Sequence, residues 1–200
     1  MITIINNETG NFASVLNMLK KIGVKSELTD SYDKISKSKI LILPGVGSFN
    51  QVMTKIYEKK IDKAIHNSLE NNGKILGICA GMQALFNKSE EGELKGLELI
   101  EGEVKKFDFK SSKFKVPHMG WNKVDFDKTN IFNEKLADNK FYFAHSFYVS
   151  CKDKKDIIGI TNHSIDFTSV IKKKNIYGAQ FHPEKSHFYG KKFLQCFIDD

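Results

Sequence analysis

Arginine is absent from this 200-residue sequence, and all 31 of its basic residues are lysine. Against 24 acidic residues they leave a formal net charge of +7, a balance that raises the question of nucleic acid. Bidentate recognition of phosphate and guanine relies on the guanidinium fork, so its absence argues against specific nucleic-acid binding. The lysines are spread along the chain, apart from Lys152, Lys154, Lys155 and the run Lys172-Lys173-Lys174. That is the pattern of a solvated surface, with room for an acidic partner protein. Cysteine is scarce: Cys79, Cys151 and Cys196 are odd in number, far apart and without a C-x-x-C pair. This argues against a disulfide framework or a zinc site and for a reducing, cytoplasmic compartment. No metal or other cofactor is expected. No apolar run is long enough to span a bilayer, and Met1 to Ile5 opens as a strand without the basic start of a secretory leader. Linkers, low-complexity tracts and internal repeats are missing as well, so residues 1–200 read as a single domain. At 40% hydrophobic it has enough apolar material for a full core.

What is present in the first half is an alternation of short apolar runs with helical spacing. Met1–Asn6 reads as a buried strand. Phe12, Val15, Leu16, Leu19 and Ile22 recur as on a helix that Gly23 ends. Val24–Leu28 and Ile40–Leu43 read as strands, the second stopping at the glycine-rich loop Pro44-Gly45-Val46-Gly47-Ser48-Phe49. A helical pattern, broken near Lys60, runs from Asn50 to about Asn71, and a strand leading to Cys79 comes next. This order predicts an α/β fold with an open, mostly parallel sheet, its reactive crevice at the carboxyl ends of the strands. The second half reads as a smaller β-rich region. Short strands are expected at Leu97–Phe109, Phe114–Phe126, Lys140–Ser150, Ile157–Asn162 and Phe167–Gln180. A final helix from Ser186 to Ile198 would pack through Phe188, Phe193, Phe197 and Ile198.

The stretch Gly77-Ile78-Cys79-Ala80-Gly81-Met82-Gln83 is the cysteine counterpart of a nucleophile elbow. A strand runs into a sharp turn that holds the reactive atom at the start of a helix. Amide hydrogens at that position favour the nucleophilic thiolate, although a buried structural cysteine satisfies the same isolated pattern. A nucleophile that attacks an acyl carbon also needs a base, a group to orient the base and donors for the oxyanion. Of six histidines, His182 alone sits in a suitable setting: a strand runs directly into His182-Pro183-Glu184, with proline fixing the turn. Glu184 can then hold the His182 tautomer and stabilise its imidazolium. The amide of Ala80 points into the turn, and the Gly45-Val46-Gly47 loop can present a second one.

Together, the elbow and Phe181-His182-Pro183-Glu184 resemble the class I (triad) glutamine amidotransferases. Further segments resemble the glutaminase subunits of imidazole glycerol phosphate synthase within that family. They are Leu43-Pro44-Gly45-Val46-Gly47-Ser48-Phe49, Val116-Pro117-His118-Met119-Gly120-Trp121-Asn122, Phe141-Tyr142-Phe143-Ala144-His145-Ser146-Phe147-Tyr148 and His182-Pro183-Glu184-Lys185-Ser186. The resemblance implies a flavodoxin-like core and a Cys79–His182–Glu184 triad that hydrolyses glutamine to glutamate and ammonia through a thioester. It implies a glutamine pocket lined by Gly47, Gln83, His145, Ser146 and Phe147. It implies an oxyanion site at the Val46 and Ala80 amides, and contact with a partner near Asn11, His118 and Trp121. The implied partner is a (β/α)8-barrel cyclase that forms a heterodimer with the glutaminase and receives its ammonia for histidine biosynthesis.

Two departures accompany the resemblance. Ala80 stands where family members more often carry leucine or another large apolar residue. The loop Asn6–Asn11 lacks the aspartate-tyrosine-glycine run that often precedes its glycine-asparagine end. The acceptor therefore stays open between histidine and surface-sugar biosynthesis, which uses paralogous copies. Two rivals are a cysteine hydrolase of peptides or small amides, disfavoured because Ala80 stands where such enzymes place histidine, and a non-catalytic binding module.

Overall fold

Parallel strand pairing organises the computed structural model, which describes residues 1–109, 115–127, 132, 135, 136 and 138–200. β1 (Ile2–Ile5) pairs in parallel with β2 (Ser26–Thr29) and β3 (Ile40–Gly45), and β3 pairs in parallel with β4 (Lys74–Cys79). Between them run α1 (Phe12–Lys21), α2 (Tyr32–Lys37), α3 (Phe49–Glu58) and α4 (Ile61–Glu70). The break between the last two is Lys60, held in the left-handed region at φ 56°. Successive strand residues point to opposite faces. Leu76 and Ile78 of β4 accordingly join one core cluster with Val15 and Leu19 of α1, while Ile75 joins a second with Val52 and Ile56 of α3.

The single turn α5 (Ala80–Gln83) succeeds β4. Beyond it come β5 (Lys88–Ser89), β6 (Gly102–Lys106), β7 (His118–Asn122), β8 (Asp125–Phe126), β9 (Phe141–His145) and β10 (Phe147–Cys151). The chain ends with β11 (Ile157–His163), β12 (Ile165–Lys173), β13 (Ile176–Ala179) and α6 (His187–Asp199). Eleven strands among the described residues form one sheet whose main path is β2-β1-β3-β4-β13-β12-β10-β6-β5, and β7 pairs with β9 in a separate two-stranded sheet. The open sheet with flanking helices agrees with expectation. The β-rich second half, however, mostly continues that sheet in antiparallel fashion beyond β13.

Several boundaries differ from the sequence reading. β3 continues through Pro44 to Gly45, because Gly45 pairs with Cys79 and brings its backbone against the elbow. A Cβ at Gly45 would collide with the Gly81 nitrogen, so glycine there serves close packing and not a loop. The segment expected as one strand over Lys140–Ser150 is two, broken at Ser146, with β9 and β10 in different sheets. The strand expected at Leu97–Phe109 is confined to Gly102–Lys106, and the one expected from Phe114 starts outside the described residues. The short helix α2 carried no sequence signal of its own. On α6, Phe193 and Phe197 are buried, but Phe188 is 59% exposed, with Lys192 over its ring. Apolar spacing marks such a helix without saying which aromatic faces the core.

A single register brings the ends of the central strands together. β4 and β13 are parallel neighbours with Ile78 opposite Ala179, and Gly45 lies opposite Cys79. The carboxyl ends of three adjacent strands are therefore level, and the segments that leave them meet.

Candidate active site

Cys79 ends β4 with φ 54° and ψ −112°, a strained conformation for a residue with a side chain. Such a backbone costs about 1–3 kcal/mol and persists only where its surroundings enforce it. Here the enforcement is close packing, since a Cβ at Gly81 would collide with the Leu43 carbonyl oxygen. Cys79 is 7% exposed and opens on a cavity of about 310 Å3.

The chain that leaves β13 supplies the neighbours of the sulfur. His182 is anchored by its amide, which donates to the Tyr142 carbonyl at 2.9 Å, and by its own carbonyl, which accepts from Ser186 Oγ at 2.6 Å. A short 3-10 turn, Pro183–Lys185, folds Glu184 back so that its Oε1 lies 2.8 Å from His182 Nδ1. Both side chains are almost fully buried. With Nδ1 committed to Glu184, the other ring nitrogen of His182 is left to serve Cys79, which lines the same cavity. Burial disfavours a charged imidazole, but the hydrogen bonds and charges of Cys79 and Glu184 outweigh it and raise the His182 pKa. Glu184 Oε2 has no hydrogen-bond partner among the described residues. The buried carboxylate therefore depends on His182 for compensation, which favours the imidazolium.

Val46, Gly47, Ala80, Gln83, His145, Ser146 and Phe147 all line the cavity with Cys79 and His182. Five residues not singled out from the sequence join them: Glu91, Pro117, Met119, Ala144 and Lys185. The proline, methionine, alanine and lysine lie within motifs that were recognised, whereas Glu91 had no local signal. It reaches the rim because its carboxylate accepts from the Phe49 amide at 2.7 Å.

Three expectations need correcting. The Val46 amide, expected as an oxyanion donor, already donates to the Thr9 carbonyl at 2.5 Å. The Ala80 amide remains, as the first of α5, where no intrahelical acceptor exists. His118, expected beside a partner, is 4% exposed and lies inside the molecule. On β7 its neighbours Met119 and Trp121 take the outward face, 64% and 48% exposed. Asn11 sits half-buried at the start of α1, where its side chain makes no capping hydrogen bond. Finally, α5 is too short for its dipole to act strongly on the sulfur, because the effect builds over several aligned peptides.

His118 and His145 form a buried chain with assignable protons. The Phe147 carbonyl can only accept, so His145 carries its proton on Nδ1, 2.8 Å away. Its Nε2 then accepts from His118 Nδ1 at 2.9 Å, and His118 Nε2 accepts from Asn122 Nδ2 at 3.2 Å. Both rings are neutral. Burial pushes His145 down to about 3 and His118 down to about 4, with nearby histidines adding to both effects. The sequence also passed over Gln180, a fully buried side chain between β13 and His182 whose Nε2 lies 3.7 Å from Cys79 Sγ. A polar residue closing an otherwise apolar strand just before a candidate base was the available signal.

The sequence pattern of the family described as Glutamine amidotransferase class-I matches residues 3–199. The chain is 48% identical to "Imidazole glycerol phosphate synthase subunit HisH 2" of Methanococcus maripaludis, covering 99% of this chain and 98% of that protein. It is 42% identical to the subunit HisH of Leptospira borgpetersenii, with 98% of each covered. The HisH of Bacillus subtilis is 37% identical, with 98% of this chain and 95% of that protein covered. Among solved structures, one described as a glutamine amidotransferase superposes with a TM-score of 0.74 at 14% identity, covering 100% of this chain and 98% of that one. The structure of PurLQS from Thermotoga maritima gives 0.75 at 18% identity, covering 99% and 97%. At these identities the two structures speak for the fold alone.

Proposed function

This chain belongs to the class I glutamine amidotransferases, and from that premise we propose that it is the glutaminase subunit of an imidazole glycerol phosphate synthase, as its relatives are named. The observation that carries the reading is the His182–Glu184 hydrogen bond of 2.8 Å beside Cys79, in a cavity sized for a small polar substrate.

The proposed reaction starts from the Cys79 thiolate and the His182 imidazolium. The sulfur attacks the side-chain carbonyl carbon of glutamine, and the negative charge moves to the oxygen, where the Ala80 amide faces it. As the tetrahedral species collapses, the carbon–nitrogen bond breaks and His182 gives its proton to the departing ammonia. The product is a glutamyl thioester. His182, now neutral, takes a proton from water while the water oxygen attacks the thioester carbon. Collapse of the second tetrahedral species breaks the carbon–sulfur bond, releases glutamate and restores the ion pair. Glu184 orients His182 throughout and stabilises its charged form.

The relatives are named as subunits of a synthase, which supports a partner subunit, in this proposal the cyclase. We further propose that it is a (β/α)8 barrel seated over the exposed Met119 and Trp121 and the rim residue Lys185, in a cytoplasmic heterodimer. No helix among the described residues is long and apolar enough to cross a membrane. With the Val46 amide held by Thr9, the oxyanion has one clear backbone donor, and a missing donor costs about 10²–10³ in rate. The isolated chain should therefore be a slow glutaminase. Glutamate release is measured for the chain alone and with its cyclase subunit and the cyclase substrate. A rise of about a hundredfold on assembly is expected; unchanged release would contradict the reading.

A further inference from the structure

We propose that the carboxamide of Gln180 is a catalytic donor to the Cys79 sulfur, and that Gln83 is the positioning residue that aims it. The proposal rests on Cys79 being the nucleophile and goes beyond the triad in naming what else holds its charge.

The direction of the Gln180 amide is set by its neighbours. The Phe147 carbonyl can only accept, and it has two lone pairs. One takes the Nδ1–H of His145 at 2.8 Å and the other takes Nε2 of Gln83 at 3.1 Å. Gln83 is thereby oriented, and the same Nε2 lies 3.2 Å from the Gln180 side chain. A donor must meet an acceptor, so that atom of Gln180 is Oε1, and its Nε2 is turned to the sulfur at 3.7 Å. Flipping Gln180 would set two donors against each other and present an oxygen to the sulfur. The backbone holds the side chain in place, because the Gln180 amide donates to the Ser169 carbonyl at 2.9 Å.

Gln180 is completely buried and Gln83 is 4% exposed. Burying two amides is costly unless their donors find acceptors. A thiolate is a strong acceptor and a thioester sulfur a poor one. The Gln180 bond therefore strengthens whenever charge rests on sulfur: in the free enzyme, and again as the thiolate leaves during thioester hydrolysis. The Ala144 carbonyl, 4.0 Å from Sγ, favours the thiol instead. Gln180 sits closer and offsets it. Since α5 is a single turn, a side-chain donor supplies what a long helix would otherwise provide.

Alkylation by iodoacetamide tests this on the full chain without glutamine, because only thiolate reacts. Adducts are read by peptide mass at Cys79. Burial pushes Cys151 up to about 12 and also raises Cys196, so neither competes near neutral pH. In Gln180→Leu the midpoint of the rate–pH profile should move up by about one pH unit, a slowing of about tenfold below it. In Gln180→Glu, read above the pH at which the new carboxyl ionises, a carboxylate oxygen still accepts from Gln83, no donor faces the sulfur, and the charge repels a thiolate. That midpoint should rise at least as far. If Gln180→Leu fails to fold, Gln180→Glu decides alone. Gln83→Leu should give a smaller upward shift. A purely structural role lowers melting temperature and leaves every midpoint in place; midpoints unmoved in the Gln180 variants would overturn the proposal. Absence of glutaminase activity in the assembled wild type would instead sink the proposed reaction, leaving the alkylation result to stand by itself.

Discussion

Cys79→Ala should reduce glutamate release by about 10⁴-fold or more, to the background of residual polar groups around the bound substrate. The loss should appear in kcat, since the sulfur acts after glutamine has bound. Folding should be spared. Cys79 is small and alanine preserves its Cβ, and the strained backbone is held by packing of Gly45 and Gly81 and not by the sulfur. Cyclase turnover fed by external ammonium salt should continue, because ammonia production is the only step removed. Glu184→Gln tests the same machinery more gently. It leaves an amide against His182 Nδ1, removes the charge that favours the imidazolium, and should cost about 10²–10⁴. Measuring glutamate release in the assembled enzyme checks both variants. Activity that survives Cys79→Ala would refute the assignment of the nucleophile.

Acidification should weaken the fold through two histidines that are not proposed to do chemistry. His118 and His145 are neutral in the folded chain, with values pushed down to about 4 and about 3 by burial. In the unfolded chain each titrates near the ordinary value of about 6.5. Between these limits the unfolded state binds protons that the folded state refuses, so stability is complete above about pH 6.5 and is lost as pH falls. Each ring costs about 1.4 kcal/mol per pH unit well inside that window. Two rings over two units approach the whole stability of an ordinary domain, about 5–15 kcal/mol. His182 behaves oppositely. Its raised value means that its contribution is full below about 6.5 and declines only on the alkaline side, so it does not offset the acid loss. Urea unfolding as a function of pH checks this, with His118→Gln as the comparison. Glutamine can still donate toward His145 but does not titrate, so its slope should be shallower by about 1.4 kcal/mol per unit. Equal slopes would exclude His118 as a source of acid sensitivity.

What could be read from the sequence is what is local. The strand into Cys79 and the strand into His182-Pro183-Glu184 are contiguous patterns, and an α/β alternation implies that strand ends share a crevice. The open sheet and the family could be inferred from them. What could not be read depends on register between distant segments. Thr9 reaches Val46, His118 reaches His145 and Gln180 reaches Cys79 only because β3, β4 and β13 are level and β7 lies on β9. Two errors have the same origin. The glycine-rich stretch suggested a loop from Pro44 onward, whereas Gly45 still belongs to β3 and serves close packing of backbone on backbone. His118, in a motif that resembles a partner-facing segment, has the inward parity on β7 while Met119 and Trp121 have the outward one. One residue of phase separates a buried relay from an exposed face.

The central claim is that glutamine passes through a covalent bond to Cys79. Rapid acid quenching of the cyclase-bound enzyme with labelled glutamine, and then peptide mass analysis, tests it most directly. The expected result is a single glutamyl group on the Cys79 peptide, enriched in Glu184→Gln, where a weakened base slows thioester hydrolysis. Label on another residue, or glutamate formed at full rate with Cys79 never modified, would contradict it.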